Sequence, residues 1–146
     1  MAVNEIEVAA APEAVFAVLA DPERYADWVV GAAETDELDP SWPAEGATLR
    51  YEAGAGPLTV AGVTEVVESE PPRRLVLRAL VPSLGEVAIE LELEASAAGT
   101  RVVMREEPVE GVLEAAHTKL SDAALSRRNE AALDRLRRLV EERPTA

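Results

Sequence analysis

Two hydrophobic periods alternate along the chain, and the points where one gives way to the other mark its elements. Val3, Glu5, Ile6 and Val8 read as a loose first strand. From Pro12 the spacing turns helical. Val15, Phe16, Val18 and Leu19 form one apolar face, and Pro12 suits a first helical position, where a missing amide hydrogen leaves no bond unmade. Asp21 caps a second short helix beginning at Pro22, and Tyr25 and Trp28, three apart, share its buried side. After Trp28 the pattern switches to alternation. Residues 31–38 form a weak strand, and 39–46 a turn broken by Pro40, Pro43 and Gly46. Leu49, Tyr51 and Ala53 then alternate with Thr48, Arg50 and Glu52. Residues 54–58 connect tightly into the strand that Pro71-Pro72 ends, and Leu75, Leu77 and Ala79 alternate with Arg74, Val76 and Arg78. The cleanest strand is 86–95, where Val87, Ile89, Leu91 and Leu93 face one way and Glu90, Glu92 and Glu94 the other. Ala98-Gly99 turns the chain into 100–109, where Val102 and Met104 oppose Arg101 and Arg105. Period two over successive strands with short turns predicts a curved antiparallel meander with one wet face and one covered face.

The last part is helical. Leu113, Ala116, Leu120 and Ala124 form one stripe, and Leu125, Ala132, Leu136 and Leu139 a second. The two are offset by about a third of a turn, so one straight helix does not easily lay both against one sheet. With Ser121-Asp122 as a cap between them, the spacing predicts a short lid at about 111–120 and a long helix at about 122–142. Arg135, Arg137, Arg138 and Arg143 sit near the end of that helix, where positive charge suits the dipole, and Pro144 stops it. A strand, two short helices, six strands and a long helix make one α+β domain over residues 1–146.

The formal net charge of −14 argues against nucleic acid and anionic membrane surfaces as partners. No apolar run approaches the roughly 20 residues that span a bilayer, and no basic start precedes an apolar segment, so a cytoplasmic location is expected. With no cysteine there is neither a disulfide nor thiolate chemistry. One histidine, His117, makes no zinc set. Neither a nucleophile elbow nor a glycine-rich phosphate cradle is present, and no metal or cofactor is expected. All the aromatics (Phe16, Tyr25, Trp28, Trp42 and Tyr51) lie in the first third of the chain. The rest packs with aliphatic side chains, which favours a residual cavity.

Five segments carry a resemblance: PERYADW at 22–28, WPAEG at 42–46, PPRRLVLRA at 71–79, AGTRV at 98–102 and RNEAALDRLRRLVEE at 128–142. In this order they resemble the START-like, helix-grip superfamily, which includes bacterial polyketide cyclase/dehydrase-like and lipid-transport-like (SRPBCC) proteins. The resemblance implies a sheet of about seven strands curled around the long C-terminal helix, with a cavity between them. It implies a hydrophobic small-molecule ligand (a lipid, polyketide or aromatic metabolite) bound by a monomer or homodimer. A cyclase, aromatase or dehydrase using pocket acid/base residues is the alternative, and a co-chaperone-like interaction module a second one.

Candidate site residues follow from the inner faces. Leu49, Leu77, Leu91 and Met104 supply apolar walls. Alternation puts Glu106 on the side of Val102 and Met104. There it either enters the cavity, as an acid/base or a ligand contact, or lies solvated at the rim beside Pro108. Glu107, its strand neighbour, points the other way, so the two form no dyad. Tyr51 shares its face with Leu49 and needs a partner for its hydroxyl or an outlet to water. His117, on the lid, is either structural or the third candidate catalytic group beside Glu106 and Tyr51. Arg128 and Asn129 lie level with the long helix's buried stripe, and one of them should face the sheet. A buried Arg128 would take Glu106 as its partner. Thr64 is a weaker candidate of the same kind, and Trp28 lines the pocket or plugs its end.

Overall fold

The computed structural model describes residues 1–29, 32–55, 58–81, 85–110 and 119–142, and at 32–38, 53–55, 58–60, 81, 110 and 119–122 the backbone alone. The chain opens with strand β1 (Ala2–Val8), followed by helix α1 (Pro12–Leu19), a single 3-10 turn (Pro22–Arg24) and helix α2 (Tyr25–Trp28). Six strands come next: β2 (Ala32–Leu38), β3 (Thr48–Ala55), β4 (Leu58–Glu70), β5 (Arg74–Val81), β6 (Gly85–Ser96) and β7 (Gly99–Glu110). Helix α3 (Lys119–Glu141) closes the fold. Asp21 caps the 3-10 turn as its position demands, accepting from the Glu23 amide at 3.0 Å.

All seven strands form one sheet in the order β1-β7-β6-β5-β4-β3-β2, with every described pairing antiparallel. β2 to β7 are a plain meander, and β1 adds itself beside β7, with Ala2 opposite Glu106 and Val8 opposite Thr100. The outer face is a lattice of charge. Arg74 contacts Glu68 and Glu90, and Arg105 Nη1 donates to Glu90 at 3.0 Å and Glu92 at 2.9 Å. The inner face carries Leu49, Val66, Leu75, Leu77, Val87, Ile89, Leu91, Leu93, Val102 and Met104, all buried. Alternation therefore assigns the faces of β5, β6 and β7 correctly. β1 forms where expected, with Ala2, Asn4 and Val8 buried and Val3 55 % exposed. Period two counted from Val8 backwards puts an asparagine, not a valine, inside.

The turn between β6 and β7 rests on Gly99 (φ +137°), where a Cβ would come within 2.5 Å of the Val8 carbonyl oxygen and 2.6 Å of the Ala10 nitrogen. Only glycine lets the end of β1 pass so close. Trp42, in the turn before β3, sends its indole Nε1 to the Leu19 carbonyl at 3.1 Å. That bond satisfies a buried donor and one of the carbonyls left open at the end of α1.

α3 corrects two expectations. The described helix already includes Lys119 and Leu120, so Ser121-Asp122 lies inside it instead of capping it near residue 122. Its inward stripe is Asn129, Ala132, Leu133, Leu136 and Val140, while Leu139 is half-buried and Ala124 exposed. The stripe follows i, i+3, i+4, i+7 spacing from Asn129, one of the two residues expected to face the sheet. Residues 111–118, with Leu113, Ala116 and His117, lie outside the described residues. α3 packs mainly against β1, α1 and α2. A seven-stranded antiparallel sheet holding one long helix on its inner face is the helix-grip arrangement.

Candidate functional site

Tyr25 sits at the centre of an aromatic cluster. Its ring lies 5.9 Å from Trp28, 6.1 Å from Trp42 and 5.4 Å from Tyr51, the first two edge-on. Its hydroxyl and Thr64 Oγ1 are hydrogen-bonded at 2.7 Å inside the core. Thr64 comes from β4 opposite Leu49, and Tyr51 from β3 opposite Gly62. The missing side chain of Gly62 makes room for the Tyr51 ring, since a Cβ there would come within 2.7 Å of Tyr51 Cζ. Burial pushes the Tyr25 phenol far above its ordinary value, and the neighbouring Tyr51 adds to this. Burial likewise pushes the Tyr51 phenol up, against a hydrogen bond with Thr64 that favours its ionised form. At neutral pH both phenols hold their protons.

A second polar group lies between β1, β7 and the first half of α3. Glu106, on the inner face of β7, is 3 % exposed, and Arg128 Nη2 donates to its Oε1 at 3.0 Å. Its Oε2 is buried with no hydrogen-bond partner among the described residues. Asn4 stands diagonally across from Glu106, its own Cα partner being Met104. Asn4 Nδ2 donates to the Ser126 carbonyl at 3.1 Å and to Ser126 Oγ at 3.0 Å, which ties β1 to α3. Asn4 Oδ1 is left without a partner among the described residues, as is Nδ2 of Asn129, one helical turn beyond Ser126. Buried polar atoms without partners are costly, about 1–3 kcal/mol each, and native cores hold few of them. The three atoms belong to β1, β7 and α3.

The structure therefore brings Glu106, Asn129, Tyr51 and Thr64 to the inner side of the sheet and helix, and Arg128 reaches Glu106 from the exposed flank. Leu49, Leu77 and Leu91 are fully buried around them, with Met104 nearly so. Glu106 is not solvated at a rim, since Pro108 beside it is buried too. Arg128 is not the buried member of its pair: 43 % of its side chain is exposed, and Asn129 is the residue facing inward. Adjacent helix positions differ by about 100°, so Asn129 is the one buried while the longer Arg128 reaches Glu106 from the flank. Trp28 packs against Tyr25 and is 2 % exposed, as a plug would be. His117 lies outside the described residues. Asn4, Ser126 and the Tyr25 hydroxyl were not foreseen. Asn4 was legible from the period-two pattern of β1, whereas the Ser126 and Tyr25 contacts need the third dimension.

Among the described residues, no group of three His, Cys, Asp or Glu side chains is placed to hold a metal. No helix among them is long and apolar enough to cross a membrane. A surface hollow of about 640 Å³ opens at the β4–β5 turn beside Glu70, Arg73, Arg74 and Glu92, but its arginines are paired to Glu70 and Glu90.

The family described as polyketide cyclase/dehydrase and lipid transport matches residues 2–141. The chain belongs to that family. Among solved structures, protein CV1439 from Chromobacterium violaceum is 20 % identical, with 97 % of each chain covered and a TM-score of 0.74. A protein from Rhodobacter sphaeroides is 22 % identical over 95 % of this chain and 90 % of its own, with a TM-score of 0.74. DynU16, a protein of the dynemicin biosynthetic locus, is 22 % identical with a TM-score of 0.72. It is covered over 47 % of its length by 97 % of this chain. These likenesses carry the fold. No curated protein matches the chain.

Proposed function

We propose that this protein binds a hydrophobic small molecule, a lipid, polyketide or aromatic metabolite, between the sheet and α3. The observation that carries the reading is the set of three buried polar atoms without partners among the described residues: Glu106 Oε2, Asn4 Oδ1 and Asn129 Nδ2. Leu49, Leu77, Leu91 and Met104 are buried on the same side of the sheet as Glu106, and apolar side chains with a few polar groups are the composition of a site that holds an oily body by one or two handles. Family membership supports the same reading at the level of class. The test is titration with an environment-sensitive apolar dye, followed by native mass spectrometry of protein purified from its own host. Saturable binding at micromolar or tighter affinity, with a co-purifying small molecule, is the expected result. A dye that never saturates the protein would end the reading.

A cyclase- or dehydrase-type enzyme is the second reading, favoured by the Tyr25–Thr64–Tyr51 hydroxyl group on the same inner face. Two phenols that stay protonated can donate to a carbonyl oxygen, and Glu106 is the described carboxylate positioned to accept a proton. Turnover of a linear poly-β-ketone, lost in Glu106→Gln with binding retained, is its test. The third reading, a protein-interaction module, draws no support from the exposed large apolar residues. Among the described residues, Val3, Val67 and Leu80 are spread over β1, β4 and β5, and Met1 precedes β1.

A further inference from the structure

The three partnerless atoms have a polarity of their own, and it is the wrong one for a fatty acid. Resting on the small-molecule reading above, we infer that the ligand is electrically neutral and presents a hydrogen-bond donor, an alcohol or enol hydroxyl, to Glu106, and that ionised carboxylates are refused. Two of the three atoms, Glu106 Oε2 and Asn4 Oδ1, are acceptors; Asn129 Nδ2 is the donor. The Asn4 orientation is settled by its own contacts. Its nitrogen faces the Ser126 carbonyl at 3.1 Å, and a reversed amide would set two oxygens against each other.

A hydroxyl answers this arrangement from both sides, donating to Glu106 Oε2 and accepting from Asn129 Nδ2. An ionised carboxylate has acceptors only. It would satisfy Asn129 and stand against two further acceptors, one of them charged, where water is scarce and like charges repel strongly. Arg128 does not rescue it. The guanidinium already donates to Glu106 Oε1 at 3.0 Å, and with 43 % of its side chain exposed it approaches from the solvent side. The Glu106–Arg128 pair sums to zero charge, so an anionic guest would leave the pocket with a buried net negative charge.

The experiment uses the full chain and the apolar dye as reporter, displaced by decan-1-ol, by its methyl ether and by decanoate at about pH 8, where the acid is ionised. The alcohol should displace dye at a concentration at least about tenfold below both others, because a site built around a hydroxyl discriminates against analogues that leave its polar atoms unpaired. In Glu106→Gln, which removes the charge and keeps the shape, the preference over decanoate should shrink several-fold. Equal displacement by all three in the wild-type protein, or tighter binding of decanoate, overturns the inference and leaves the binding reading standing. A protein that takes up no dye overturns both. If Glu106→Gln does not fold, the wild-type ratios decide.

Discussion

Arg128 Nη2 stands 3.0 Å from Glu106 Oε1 across the boundary between solvent and core, with 43 % of the arginine side chain exposed and 4 % of the glutamate. The two partners are therefore unequal. Arg128→Ala strands a buried carboxylate, whereas Glu106→Gln leaves a guanidinium that water already reaches. Breaking a fully buried pair costs about 3–5 kcal/mol, and solvent beside Arg128 lowers that to about 2–3. Glu106→Gln should cost about 1 kcal/mol, the worth of an ordinary hydrogen bond. Urea unfolding of the two variants measures this, and the reverse order would contradict the burial asymmetry.

Asn129 should trade stability against binding. Its amide nitrogen is buried without a partner among the described residues, between the Arg128 pair and the apolar stripe that begins at Ala132. Asn129→Leu, close in volume, removes a donor that nothing described satisfies, so it should cost less than about 1 kcal/mol or raise the melting temperature. The same change should weaken binding of a hydroxylated ligand about tenfold. A variant that unfolds would assign Asn129 to the core alone.

Gly62 and Tyr51 should be energetically coupled. A Cβ on Gly62 would lie 2.7 Å from Tyr51 Cζ and 2.9 Å from its hydroxyl oxygen, closer than packed atoms approach. Gly62→Ala should destabilise by about 1–3 kcal/mol through overpacking. In a Tyr51→Ala background the same substitution should cost nothing or stabilise, giving a coupling of at least about 1 kcal/mol in a double-mutant cycle. Additive effects would mean that the ring moves aside freely.

Alkaline titration should expose the buried phenols. Folding raises the Tyr25 and Tyr51 values, by burial first. Below about pH 10 both folded and unfolded chains keep these protons, so the contribution to stability is complete there. As pH climbs past that value towards the folded ones, the unfolded chain releases protons the native protein retains. Stability should then fall, by up to about 1.4 kcal/mol per pH unit for each phenol. Phenolate absorbance should thus appear together with loss of near-ultraviolet circular dichroism. Titration of both tyrosines at the free-phenol value in a still-folded protein would contradict their burial.

Fold and site differed in how far the linear pattern carried them. β6 is legible because Val87, Ile89, Leu91 and Leu93 share one side of a strand paired on both edges, so burial and period coincide. The face of Glu106 follows from the same rule. Helix α3 is less legible. Ser121 and Asp122 have the chemistry of a cap, but a cap residue acts only where the chain leaves the helix, and here the helix continues through both. Arg128 and Asn129 could not be separated without the helix's rotation, which Leu133 and Val140 set by packing inward. The Asn4–Ser126 link spans 122 positions, and no local signal encodes a contact at that range. Tyr25 shows the same limit: its burial is written in its spacing to Trp28, while its bond to Thr64 depends on how α2 meets β4.

The pairing of β1 with β7 has a consequence for how the protein comes to work. Asn4 belongs to the first strand made, Glu106 to the last, and Asn129 to the helix after both. The three partnerless atoms meet only when the head of the chain has closed against a strand about a hundred residues downstream. Under the proposed binding function, a partly built or partly opened chain would lack the polar half of its site. Occupancy would then report completed assembly, with a ligand clasping the beginning of the polypeptide to its end.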